Sequence, residues 1–195
     1  MHSKTLYGLV LTGGKSTRMG VDKGLIQYHG RPQREYLYQL LKPLCRATFM
    51  SIRKDQEHGF IGAYDHIIDR DEHKGPYNGI LSAHMYDPTA SWLVLACDLP
   101  LIDQRALEFL IGERDPDKMA TAYATHHSGL PEPLCAIWEP EGLRRSMEYL
   151  STGNGTCPRK FLINGDTKLV FPYDDDVLLN ANYKEDYEKV LNILM

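Results

Sequence analysis

Long apolar runs are missing from this chain of 195 residues. None approaches the roughly 18 consecutive apolar residues of a membrane span. The start, MHSKTLYGLVLTGGK, has neither the extended apolar stretch nor the small-residue cleavage site of a secretory leader. Cysteine is scarce. Cys45, Cys97, Cys135 and Cys157 stand far apart with no CxxC pair, which argues against a zinc site, and three of them sit in apolar segments as buried thiols of a reducing compartment do. Eight histidines form no HExxH or related metal pattern. A basic excess is absent too: the net charge is -4, unlike a nucleic-acid surface, although a local cationic pocket for a small anion stays open. The expectation is a cytoplasmic protein with neither nucleic acid nor membrane as partner.

What is present is an ordinary globular composition, 43% hydrophobic and 25% charged, at a length that suits one domain over residues 1–195. Near-continuous apolar runs at 6–11 (LYGLVL), 47–52 (ATFMSI), 66–69 (HIID) and 92–97 (WLVLAC) predict strands covered on both faces, as in a parallel sheet. Helical patterns at 33–44, 79–85 and 104–111 alternate with them, and Asp103 is placed to N-cap the third. That rhythm is the βαβ pattern of an α/β domain. The second half reads differently. Runs at 119–125 and 133–138 bracket a polar loop and predict antiparallel strands. Helices over 141–150 and 159–162, a last strand over 168–173 and an amphipathic helix over 184–194 follow.

The most unusual stretch is LTGGKSTRMGVDKGL, residues 11–25. Adjacent glycines behind a strand let backbone N–H groups approach an anion closely. Two familiar phosphate loops fit poorly. A P-loop would need a glycine at Leu9, and the dinucleotide fingerprint GxGxxG would need glycines where Lys15 and Arg18 stand.

The string Gly13-Gly14-Lys15-Ser16-Thr17-Arg18-Met19-Gly20-Val21-Asp22-Lys23 resembles the signature loop of the nucleotidyltransferase superfamily with a GT-A-like, Rossmann-type fold. Further segments resemble that family in order: Gly30-Arg31-Pro32, Gly75-Pro76-Tyr77-Asn78-Gly79, Cys97-Asp98-Leu99-Pro100, Pro131-Glu132-Pro133-Leu134, and Asn180-Ala181-Asn182 followed by Glu185-Asp186. Together they cover most of the chain, and they are most similar to the molybdenum cofactor guanylyltransferases of MobA type. The fold this resemblance implies is α/β and Rossmann-like, three layers α/β/α around a mostly parallel sheet with a small antiparallel portion.

The same resemblance implies a site. Leu11, Thr12, Gly13 and Gly14 hold nucleotide and phosphates, and Arg18 and Lys23 neutralise phosphate charge. Asp98 binds Mg²⁺, and Asp69 contacts the nucleotide. A strand-end aspartate alone is more often a cap or turn former, but Mg²⁺ wants one or two carboxylates completed by phosphate oxygens and water, and Asp98 ends a parallel strand where such ligands bind. Asn180 and Asn182 are left between nucleotide, pterin substrate and their own turn, and Arg53 stands where the family often has a polar residue after the second strand. The implied reaction moves GMP from GTP to the phosphate of molybdopterin, with molybdenum cofactor biosynthesis and molybdoenzyme maturation proteins as further partners. A cytidylyltransferase relative, a sugar-1-phosphate nucleotidylyltransferase and a catalytically silent nucleotide-binding or carrier module stand as alternatives. No spacing identifies the base.

Overall fold

Seven strands form one mixed sheet in the computed structural model, which describes residues 5–12, 22–59, 62–153 and 155–194. The first half alternates as expected: β1 (Leu6–Leu11), α1 (Gln33–Leu41), β2 (Thr48–Ile52), β3 (His66–Ile68), α2 (Pro76–Tyr86), β4 (Ser91–Ala96) and α3 (Gln104–Gly112). Then come β5 (Ala120–Ala124), β6 (Pro131–Trp138), α4 (Pro140–Ser151), α5 (Pro158–Asn164), β7 (Thr167–Val170) and α6 (Lys184–Leu194).

Proline sets several boundaries. The first helix stops at Leu41 and not at 44, because Pro43 has no N–H to continue the ladder. The second starts at Pro76, earlier than the expected 79, since proline at the first helical position gives up an N–H that has no helical partner anyway. Gly75 makes the preceding turn at φ +64°, a conformation that favours glycine. β7 ends at Val170, short of the expected 173, just ahead of Pro172. At α3 the N-cap is the expected one: Ala106 N–H donates to Asp103 Oδ1 at 2.8 Å.

The strand order is β3-β2-β1-β4-β6-β5-β7. β1 pairs parallel with β2 and β4, β2 with β3, and β5 with β7. β6 alone among these runs the other way, antiparallel to both β4 and β5. The antiparallel portion is thus one strand, filling the gap between β4 and β5. Successive residues serve opposite faces. Val10, Met50, Leu93 and Leu95 pack with Leu37, Leu41, Leu107 and Leu110 of α1 and α3. Leu9, Phe49, Trp92 and Val94 pack with Ile80, Leu143 and Phe161 of α2, α4 and α5. Both faces are covered, which is why every residue of β4 is buried and why its sequence shows no alternation.

Candidate active site

The chain turns back on itself between β1 and β4. β2 and β3 lie on one side of β1, and β4 lies on the other. In open α/β sheets ligands bind in the crevice outside the carboxyl ends at such a reversal. Thr12 follows β1 there and Asp98 follows β4.

Asp98 is the centre of the described part. Its side chain is 21% exposed. Oδ1 is buried and has no hydrogen-bond partner among the described residues. Burial holds its carboxyl above the usual carboxylate range, while the Lys23 ammonium pulls it back down. Lys23 Nζ lies 3.9 Å from Oδ2 and donates at 2.6 Å to Asn182 Oδ1. A single turn carries Lys23, with Gly24 N–H donating to Asp22 Oδ1 at 2.9 Å. Asn182 is held from behind, since its own N–H and that of Tyr183 donate to Asp186 Oδ2 at 2.8 and 2.9 Å. The Ala181 N–H closes the group by donating to the Asp98 carbonyl at 2.8 Å. Lys23, Asp98 and Asn182 therefore meet. Asn180 does not join them: its Nδ2 donates to Leu178 O at 3.2 Å, within its own turn.

A second group stitches the ends of β1, β2 and β3. Thr12 donates twice to the Ser51 carbonyl, from N–H at 3.1 Å and from Oγ1 at 2.6 Å. Ser51 Oγ donates to Asp69 Oδ1 at 2.6 Å. Asp69 is 7% exposed. Burial pushes its carboxyl up to about 6 despite the Ser51 hydrogen bond that lowers it; Asp71 adds to the rise and Arg53 opposes it. Gly79 lets α2 approach, because a Cβ there would collide with Ser51 Oγ and come within 2.8 Å of Leu11 Cδ2. Arg53 is turned to Asp55, with Nε 2.9 Å from Oδ1. Gly13, Gly14 and Arg18 lie outside the described residues.

Two residues next to Asp98 had no role assigned from sequence. The β4–β6 register brings the start of β6 alongside the residues that follow β4. Glu132 is buried there, accepting from Arg159 Nη2 at 2.6 Å and from Leu134 N–H at 3.1 Å. Its charge adds to the rise at Asp98, and Arg159 counters it. Only the sheet order reveals this proximity.

The residues fit a Mg²⁺ ion, because Asp98 offers an uncommitted carboxylate oxygen beside a lysine at a ligand crevice. Among the described residues no cluster of three or more histidine, cysteine, aspartate or glutamate side chains exists, so such an ion would draw its remaining ligands from substrate and water. No helix among the described residues is long and apolar enough to cross a membrane. Cys97 and Cys135 are buried, Cys45 half-buried and Cys157 exposed, all as free thiols.

Bringing two anions together at a sheet edge, with one cation and one under-bonded carboxylate to manage their charge, is the task of a nucleotidyltransferase, and fold and site agree on that class. The chain belongs to the MobA-like NTP transferase family, whose domain matches residues 8–168. It is 31% identical over 183 residues to the molybdenum cofactor guanylyltransferase of Pseudomonas aeruginosa, covering 91% of this chain and 90% of that protein. A molybdenum cofactor biosynthesis bifunctional protein of Synechocystis sp. is 40% identical over 186 residues, and this chain spans 53% of its length. The crystal structure of molybdopterin-guanine dinucleotide biosynthesis protein A from Archaeoglobus fulgidus has the same fold, with a TM-score of 0.78 at 20% identity over 96% of this chain and 98% of that one.

Proposed function

We propose that the chain, as one domain over 1–195, transfers GMP from GTP to the phosphate of molybdopterin, giving the guanine dinucleotide form and pyrophosphate. A phosphate oxygen of molybdopterin attacks the α-phosphorus of GTP. The bond from that phosphorus to the oxygen bridging the β-phosphate breaks, and pyrophosphate leaves. The observation that carries this reading is the Asp98–Lys23–Asn182 group at the β1/β4 crevice.

Such displacement depends on positioning and electrostatics more than on covalent chemistry by the protein. The backbone of Leu11, Thr12, Gly13 and Gly14 cradles the nucleotide phosphates. Lys23, oriented by Asn182, meets the charge that develops on the leaving group, and Arg18 shares that work. Asp98 would hold Mg²⁺, which would supply further positive charge to the phosphates. Asp69, kept by Ser51 at the end of β3, contacts the nucleotide. Asn180 shapes the turn that presents Asn182.

Guanine is supported by the names of the relatives. A site built to hydrogen-bond one base rejects others because misfit leaves buried polar groups unpaired. Mg-GTP is therefore expected to raise the melting temperature more than Mg-CTP or Mg-ATP, and only GTP should release pyrophosphate rapidly with molybdopterin present. Equal protection and equal turnover by all three would remove the guanylyl assignment.

A further inference from the structure

Gln33 is the first residue of α1 and is completely buried. Its backbone N–H donates to the Ile26 carbonyl at 2.9 Å, closing the turn that carries Lys23. Its side-chain Nε2 donates to the Leu99 carbonyl at 3.3 Å, one residue beyond Asp98. One residue thus grips both turns. His29 reinforces the second grip, with Nε2 2.8 Å from the Pro100 carbonyl. A carbonyl only accepts, so that nitrogen carries the proton, and the ring is steadied by stacking on Tyr36 with centroids 3.7 Å apart.

Stability alone does not account for an amide here. Gln33 Oε1 has no partner among the described residues. A buried, half-satisfied amide is a poor filling for that space, because the cost of its orphaned oxygen offsets what its bond to the Leu99 carbonyl contributes. The polar group makes sense through what its donor holds. Lys23 Nζ and Asp98 Oδ2 stand 3.9 Å apart, longer than a direct hydrogen bond, which leaves each free to meet a charged ligand.

We propose that Gln33 is a positioning residue: by tying the Ile26 and Leu99 carbonyls to one residue of α1, it sets the separation of the Lys23 ammonium from the Asp98 carboxylate. The inference rests on the roles proposed above for those two groups. Without the clamp the Asp98 turn is released. Lys23 and Asp98 then collapse into a closed pair or drift apart, and either change disturbs charge placement more than nucleotide binding.

Gln33→Met keeps length and apolar bulk while removing both the donor and the orphaned acceptor. The melting temperature is expected to change little, because losing the orphaned Oε1 offsets leaving the Leu99 carbonyl without its donor. GTP affinity measured without Mg²⁺ is expected to stay as in wild type. Calorimetric titration of Mg²⁺ into GTP-loaded protein should show affinity weakened by about tenfold. The kcat for GMP transfer should fall about tenfold with KM for GTP unchanged. His29→Phe, which keeps the stack on Tyr36, should give the same split at smaller size. Wild-type Mg²⁺ affinity and kcat in Gln33→Met would overturn the proposal. So would a joint fall of melting temperature, GTP affinity and kcat, or failure of the variant to fold, since each makes Gln33 a packing residue only. If wild type binds Mg-GTP but never transfers GMP, the transferase reading fails instead, and the Mg²⁺ titration still decides the role of Gln33.

Discussion

Replacing Asp69 with asparagine should make the ligand-free protein more stable at neutral pH. The carboxyl is buried and held up at about 6, against an ordinary 3.8, chiefly by burial. The native state therefore keeps a proton that the unfolded chain has already released between pH ~4 and ~6. Stability is full below the unfolded value, falls as pH rises through that window, and stays reduced above it. The gap corresponds to about 3 kcal/mol as an upper figure. Asparagine keeps an Oδ1 acceptor for Ser51 Oγ, now 2.6 Å from Asp69 Oδ1, and removes the charge. Its added N–H₂ needs an acceptor, and burying it unpaired costs about 1–2 kcal/mol. A net gain of about 1–2 kcal/mol at pH 7.5 is expected, which for a chain of this size is a rise of roughly 2–8 °C in melting temperature. At pH 4 the contribution from the removed charge is gone and only the amide's cost remains, so the sign should reverse, with the variant about 1–2 kcal/mol less stable than wild type. Urea midpoints for wild type and Asp69→Asn from pH 4 to 8 test this directly. Parallel curves, with no divergence between pH 4 and 6, would refute the reasoning. A stabilised variant that also loses protection by GTP would locate the cost of the carboxylate in nucleotide binding.

Three further outcomes are expected. Lys23→Ala should lower GMP transfer on the order of 10²–10³-fold in a folded protein, because its ammonium is partly exposed and belongs to the cleft; an unchanged rate rules out its role. Asp98→Asn should abolish turnover at ordinary Mg²⁺ while GTP still binds, and normal turnover at limiting Mg²⁺ would make Asp98 a strand-end cap only. Far from the cleft, Arg114→Ala should cost about 3–5 kcal/mol in urea unfolding. It strips the guanidinium that lies 2.7 Å from the fully buried Glu139, and added Glu139→Gln should restore part of the loss.

Elements with strong local signals were legible from residues alone. β1 and β4 show as apolar runs, and α3 as a capped amphipathic segment. The place of Asp98 just past the carboxyl end of β4 was legible from the apolar run that precedes it. Other features needed the third dimension. Ser51 and Asp69 are far apart in sequence, and only the parallel pairing of β2 with β3 brings them together. The pattern NAN cannot say which asparagine faces the site. The Asp186 side chain decides it by gripping the Asn182 backbone. Glu132 sits in a segment that resembles the family, but it gains its neighbourhood from β6 lying against β4. Strand order is a property of the whole sheet, and no local stretch encodes it.

The lengths of the outermost strands bear on solubility. Apolar strands such as WLVLA would template pairing between chains if their edges were open. Here that segment has partners on both sides. Among the described residues the open edges fall to β3, with three residues, and β7, with four. β7 also carries Lys168, whose Nζ donates to the Glu113 carbonyl at 2.7 Å, and it is closed off by Pro172, which has no N–H to offer an incoming strand. Short edges, a charged residue and a proline are recognised guards against edge-to-edge association. The sheet thus ends, at both margins, in its least adhesive strands, and the stretches with the greatest tendency to aggregate stay in its middle.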